Sequence, residues 1–164
     1  MPILDSHSLE IISRSTEQTR RVGMRLGALL QPGDLVGLVG DLGSGKTTLV
    51  QGIAAGWGSL DPVSSPTFVI VNVYRHTDGI RLFHLDAYRL NDSTEALDLD
   101  LESMLDQGPM VVEWAERVQS VLPDLGLWVQ LSYIDDVQRD LIFSGRGHYY
   151  EDLLSRFRKL IYGG

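Results

Sequence analysis

The chain has 164 residues, no cysteine, a formal net charge of −8 and a pI near 4.8. That length suits one domain with a sizeable core. Missing thiols exclude disulfides and cysteine metal sites, and the acidic balance excludes the broad basic surface of an autonomous nucleic-acid binder. The start, Met1-Pro2-Ile3-Leu4-Asp5-Ser6-His7, has no basic head before a long apolar stretch, and no apolar run of roughly 18 residues occurs. The expected location is the cytoplasm, away from membranes.

Leu9 to Ser13 reads as a short first strand. Ser15 followed by Gln18 has the form of a capping box, and Val22, Leu26 and Leu29 recur at helical spacing until Pro32-Gly33 interrupts them. Next comes the apolar strand Leu35-Val36-Gly37-Leu38-Val39. Directly behind it stands Gly40-Asp41-Leu42-Gly43-Ser44-Gly45-Lys46-Thr47, the pattern G-x-x-x-x-G-K-[ST] of a phosphate-binding loop. Glycines at 40, 43 and 45 let the backbone turn so that successive N–H groups face a phosphate chain. Lys46 supplies a charge for the β- and γ-phosphates, and the Thr47 hydroxyl a ligand for Mg²⁺. A helix over 46–57, carrying Leu49, Ile53 and Trp57 and ended by Gly56 and Gly58, adds the positive end of its dipole. The expected ligand is a nucleoside triphosphate.

Asp61 to Thr67 is a proline- and serine-rich loop before the apolar run Phe68 to Tyr74. The turn signal Thr77-Asp78-Gly79 and the strand Ile80 to Asp86 complete an antiparallel pair. A helix is predicted over 93–105, and Pro109-Met110-Val111-Val112-Glu113 is a short buried strand ending in a carboxylate. Trp128 to Ile134 and Asp140 to Ser144 form a second hairpin around Asp135-Asp136. Tyr150 to Ile161 closes the chain as an amphipathic helix, with the dense basic cluster Arg156-Phe157-Arg158-Lys159. No repeat, low-complexity tract or linker is visible. The fold class is a single three-layer α/β phosphate-loop domain over 1–164, with a mixed parallel and antiparallel central sheet.

Hydrolysis needs Mg²⁺ and a group that orients water. Two strand-ending acids qualify, Asp86 in I-R-L-F-H-L-D and Glu113 in P-M-V-V-E. In open α/β sheets ligands sit beyond the carboxyl ends of the parallel strands. Glu113, behind a wholly apolar strand, fits best, while the direction of the Asp86 strand stays open. His84 shares a strand face with Leu82 and Asp86. Without a third ligand it reads as a hydrogen-bonded structural histidine rather than half of a metal pair. Trp114 either shields the site from water or stacks on a partner, or it packs in the core. Taken alone, Ser64-Ser65-Pro66-Thr67 reads as a turn, with a γ-phosphate-sensing switch as the alternative.

G-D-L-G-S-G-K-T-T at 40–48, S-P-T-F at 65–68, H-L-D-A-Y-R-L at 84–90 and V-E-W-A-E-R at 112–117 occur in the order and spacing of one family. The chain resembles the TsaE family, small ATPases of the bacterial tRNA threonylcarbamoyladenosine pathway. The resemblance implies a cytoplasmic, Mg²⁺-dependent, weakly hydrolytic ATPase that works with TsaB and TsaD. Those partners transfer threonylcarbamoyl to the adenosine beside the anticodon of ANN-reading tRNAs, so tRNA is met indirectly, through the complex. It further implies that ATP lies on Asp41, Leu42, Gly43, Ser44, Gly45, Lys46, Thr47 and Thr48, with Mg²⁺ on Thr47 and Glu113. Lys46, Asp86 and Glu113 become the catalytic set, Ser65, Pro66 and Thr67 a switch-like loop, and Thr16 a neighbour of the adenine. Ser44 occupies a free position where alanine is common, and after residue 120 no strong match remains.

The rival reading is a small-molecule kinase. Such kinases usually carry an arginine-bearing lid, whereas Arg139 and Arg146 lie in or beside the second hairpin. A GTP switch would need N-K-x-D and an ABC-type ATPase an L-S-G-G-Q-like segment, and neither occurs.

Overall fold

The computed structural model describes residues 7–41, 43–63, 71–88 and 99–163. In chain order the elements are β1 (Ser8–Ser13), α1 (Thr16–Gly27), β2 (Leu35–Val39), α2 (Lys46–Trp57), β3 (Val71–Arg75), β4 (Arg81–Asp86), α3 (Leu101–Gln107), β5 (Met110–Glu113), two 3₁₀ turns (Ala115–Arg117 and Gln119–Val121), β6 (Gly126–Tyr133), β7 (Arg139–Arg146) and α4 (His148–Tyr162). The strands form one sheet in the order β1-β7-β6-β2-β5-β4-β3. β6, β2, β5 and β4 run parallel, while β7, β1 and β3 extend the sheet antiparallel at its two sides.

Period-two alternation sends Val36, Leu38, Val111, Leu127 and Val129 to one face, where α1, α2 and α4 cover them. Leu35, Phe83, Leu85, Met110 and Val112 face the opposite way, under Leu101 of α3 and Ala115, Val118 and Leu122 of the 3₁₀ region. Both faces of the sheet are thus covered, which is why β5 is buried throughout. The result is the expected three-layer α/β arrangement. Among the described residues no helix is long and apolar enough to cross a membrane.

The Ser15 cap forms as predicted, its Oγ accepting the Gln18 N–H at 3.1 Å. The return bond lands one residue upstream, with Gln18 Oε1 accepting the Arg14 N–H at 2.6 Å. Two expectations are corrected. Gly56 does not end α2; the helix stops at Gly58, whose φ of +104° closes it in the left-handed region. Gly56 instead belongs to a close crossing in which Gly23 and Gly27 of α1 lie against α2, and Gly52 and Gly56 of α2 against α1. A Cβ at any of these four would overlap a carbonyl oxygen of the other helix, that of Leu49, Ile53, Arg20 or Met24. The helix predicted over 93–105 does not run unbroken: Leu99 and Asp100 are not helical, and a helix starts at Leu101 and runs to Gln107, with Asp100 capping it by accepting the Ser103 N–H at 3.2 Å. Residues 93–98, like the first residues of the run Phe68 to Tyr74, lie outside the described residues.

Candidate functional site

β2 delivers the chain to Gly40 at the carboxyl end of the sheet, and α2 carries it away from Lys46. Between them Gly43 and Gly45 take φ values of +79° and +99°, backbone that a Cβ would strain. At Gly40 a Cβ would lie 2.7 Å from Ser44 Oγ. The motif glycines are therefore required by the turn itself. Lys46 is buried, and its Nζ donates to the Gly40 carbonyl and to the Asp41 carbonyl at 2.8 Å. It also lies 4.1 Å from the centre of the Trp114 ring. Burial pulls the Lys46 ammonium below its ordinary range, opposed by the charges of Glu113, Glu116, Asp41 and Asp86.

The parallel pairing of β4 with β5 settles the open direction of the Asp86 strand. Asp86 stands in register with Glu113, so both acids end neighbouring strands on the side of the loop. Burial raises the Asp86 carboxyl, Glu113 adds to the rise, and the Tyr88 N–H, donating to Asp86 Oδ1 at 3.0 Å, opposes it. Glu113 is buried, and its Oε2 is hydrogen-bonded to His84 Nε2 at 2.5 Å. His84, 1% exposed, also bonds Tyr74 through Nδ1 at 2.9 Å, the hydrogen-bonded structural histidine expected.

Trp114 packs against the second core cluster and also lines the cavity above the loop, its ring tilted against that of Tyr88 with centres 5.0 Å apart. Among the described residues it is the only non-glycine with positive φ, +58°. For a bulky side chain that conformation costs on the order of 1–3 kcal/mol, and such strain concentrates at functional sites.

The cavity has a volume of about 360 Å³ and brings together Lys46, Thr47, Thr48, Asp86, Glu113 and Arg139. Arg139 was underestimated by sequence reasoning. It lies in the hairpin, as expected, but the turn end of that hairpin sits on the loop. Its Nε donates to the Gly43 carbonyl at 3.1 Å, Nη1 donates to the Asp135 and Gln138 carbonyls, and the guanidinium lies 4.9 Å from the Tyr133 ring centre. The only hint in the sequence was an arginine just after a turn; its target depends on the sheet order. Thr16 opens α1 and is exposed, outside the residues lining this cavity. It follows β1, whose Ser13 pairs with Arg139, so it stands at the same edge of the sheet. Leu42 and the loop residues Ser65, Pro66 and Thr67 lie outside the described residues.

Chemically, the cavity combines two cations, two threonine hydroxyls and two carboxylates. Among the described residues no three His, Cys, Asp or Glu side chains gather as a metal cage. Mg²⁺ needs none, since it binds through one or two carboxylates together with substrate phosphates and water. Thr47, Glu113 and Asp86 are oxygen donors of that kind beside a phosphate loop, and the residues fit.

Residues 13–141 match the profile of the family described as Threonylcarbamoyl adenosine biosynthesis protein TsaE. The chain belongs to the TsaE family. A relative from Bacillus subtilis (strain 168), named tRNA threonylcarbamoyladenosine biosynthesis protein TsaE, is 40% identical over 84% of this chain and 85% of its own length. The TsaE protein of Streptomyces coelicolor is 47% identical over 64% of this chain and 73% of its own length. In three dimensions the chain is similar to the crystal structure of Bacillus subtilus YdiB, with a TM-score of 0.78, 30% identity and coverage of 98% and 99% of the two chains. Family membership and phosphate-loop architecture therefore agree.

Proposed function

We propose that the chain is the ATP-binding, weakly hydrolysing member of an assembly that makes threonylcarbamoyladenosine in ANN-reading tRNAs, working with TsaB- and TsaD-type proteins and meeting tRNA through them. One observation carries the nucleotide part of this reading: Asp86 and Glu113 stand in register at the ends of parallel strands, facing the glycine loop and Lys46. In this reading the N–H groups of the loop and the start of α2 cradle the phosphates. Lys46 neutralises the β- and γ-oxygens, and Thr47 and Glu113 hold Mg²⁺, which supplies charge neutralisation at the transferring phosphate when bound. Asp86 orients the attacking water, and the tilted Trp114–Tyr88 pair walls the site from bulk solvent. The resemblance of most of the chain to named threonylcarbamoyladenosine proteins supports the pathway. In this reading no bond to threonine or carbamoyl is formed on this chain.

The test is Mg²⁺-dependent phosphate release from ATP by the chain alone and with TsaB- and TsaD-type partners. Expected is slow release that rises with the partners and disappears in Lys46→Ala. Transfer of the γ-phosphate to a small acceptor by the chain alone would replace this reading with the kinase one.

A further inference from the structure

Tyr74, His84 and Glu113 form a buried hydrogen-bonded chain that crosses three adjacent strands diagonally. Tyr74 lies on β3, His84 on β4 and Glu113 on β5; His84 is opposite Val111, two residues below the Asp86–Glu113 register pair. The bonds are Tyr74 Oη to His84 Nδ1 at 2.9 Å and His84 Nε2 to Glu113 Oε2 at 2.5 Å. All three side chains are buried. Neutral imidazole donates from one nitrogen and accepts at the other. A carboxylate accepts only, so the nitrogen facing Glu113 must carry the proton. Nδ1 is then the acceptor, and Tyr74 the donor to it. Burial and the nearby Glu113 charge push the Tyr74 phenol up to about 12, so it retains that proton near neutral pH. The opposite tautomer would set a lone pair of the ring against the carboxylate.

We propose that His84, itself held by Tyr74, is a positioning residue: by taking one carboxylate oxygen of Glu113 it fixes the side chain and leaves the other oxygen preset for a Mg²⁺–nucleotide in the cavity. The proposal rests on the nucleotide reading above and assigns Tyr74 and His84 a part in it. Neither residue lines the cavity, so both act through Glu113. Partners of this outer kind hold a ligating group in one orientation, and losing them typically costs about 10- to 100-fold in metal affinity.

Two measurements test it. In the unmodified protein with ¹⁵N-labelled histidine, long-range ¹H–¹⁵N spectra, assigned through His84→Gln, report the His84 tautomer. A proton on Nε2 is expected; a bare Nε2 overturns the proposal. The second measurement titrates Mg²⁺ into the protein with a fluorescent ATP analogue. His84→Phe should raise the Mg²⁺ midpoint by about 10-fold or more, with analogue binding in EDTA unchanged. His84→Gln, which keeps an N–H donor, should recover part of that loss, and the isosteric Tyr74→Phe should show a smaller shift in the same direction. Should His84→Phe fail to fold, Tyr74→Phe and the tautomer still decide. Wild-type midpoints in the folded variants overturn the positioning role while sparing the nucleotide reading. Analogue binding indifferent to Mg²⁺ in both wild type and Glu113→Gln overturns the two together.

Discussion

Two side chains at the site carry their charge at a cost. Lys46 is buried against Trp114 and bonded to carbonyls of its own loop. Replacing it removes a charge-assisted contact of about 1.5–3 kcal/mol, so Lys46→Ala should weaken ATP binding by about 10- to 100-fold in a calorimetric titration. Asp86 is the opposite case, an acid whose carboxyl is raised above its ordinary 3.8 by burial. The folded state binds its proton more tightly than the unfolded chain does, so stability falls as pH rises through that window. The penalty is complete above the folded value and absent below 3.8. Asp86→Asn, which keeps an oxygen for the Tyr88 N–H, should therefore raise Tm at neutral pH in EDTA while abolishing turnover. Melting curves should show the gain fading on acidification; a lowered Tm at neutral pH would contradict the burial argument.

The α1–α2 pair is the element that locates the loop. Its four facing glycines let the two helix backbones approach closely, and α2 begins at Lys46 of the glycine loop. In an open helix Gly→Ala gains about 1 kcal/mol. At this crossing the sign reverses, because the new methyl of Gly27→Ala meets the Ile53 carbonyl and the adjoining Trp57 backbone. The expected loss is about 1–3 kcal/mol, read as a fall in Tm of about 2–4 °C per kcal/mol for a chain of this size. ATP affinity should fall with it as the start of α2 shifts. The helical spacing of Leu49, Ile53 and Trp57 was legible in the sequence because burial imposes it on a local period. The glycine crossing was not: Gly23 and Gly27, like Gly52 and Gly56, share a spacing of four that puts each pair on one helix face, but nothing local says that the two faces meet.

Across the whole molecule the charge is −8, and the basic run near the C-terminus is dispersed by α4. Phe157 points into the core, Arg158 donates to the Ser8 carbonyl, and Arg156 pairs with Asp152 at 3.2 Å. Nucleic-acid affinity depends on many phosphate contacts acting together. The chain alone should therefore leave tRNA unretarded in gel-shift at about 0.15 M salt and protein concentrations near 10 μM. Retardation should appear only when TsaB- and TsaD-type partners are added. A tRNA complex with the chain alone would move the RNA contact onto this subunit.

The sequence by itself determined the phosphate loop, the strand that enters it, the helix that leaves it and the family, because each rests on contiguous residues. Backbone N–H groups, three glycines and a lysine act within one turn of chain, and motif order survives any uncertainty about packing. Only the tertiary structure decided which distant residues join that loop. Asp86 meets Glu113 because β4 runs parallel to β5, Arg139 reaches Gly43 because the β6–β7 hairpin sits beside β2, and His84 reaches Glu113 across a strand boundary. Such juxtapositions depend on strand order, direction and register. These are settled by burying both faces of the sheet at once, a condition on the entire chain that no local pattern contains.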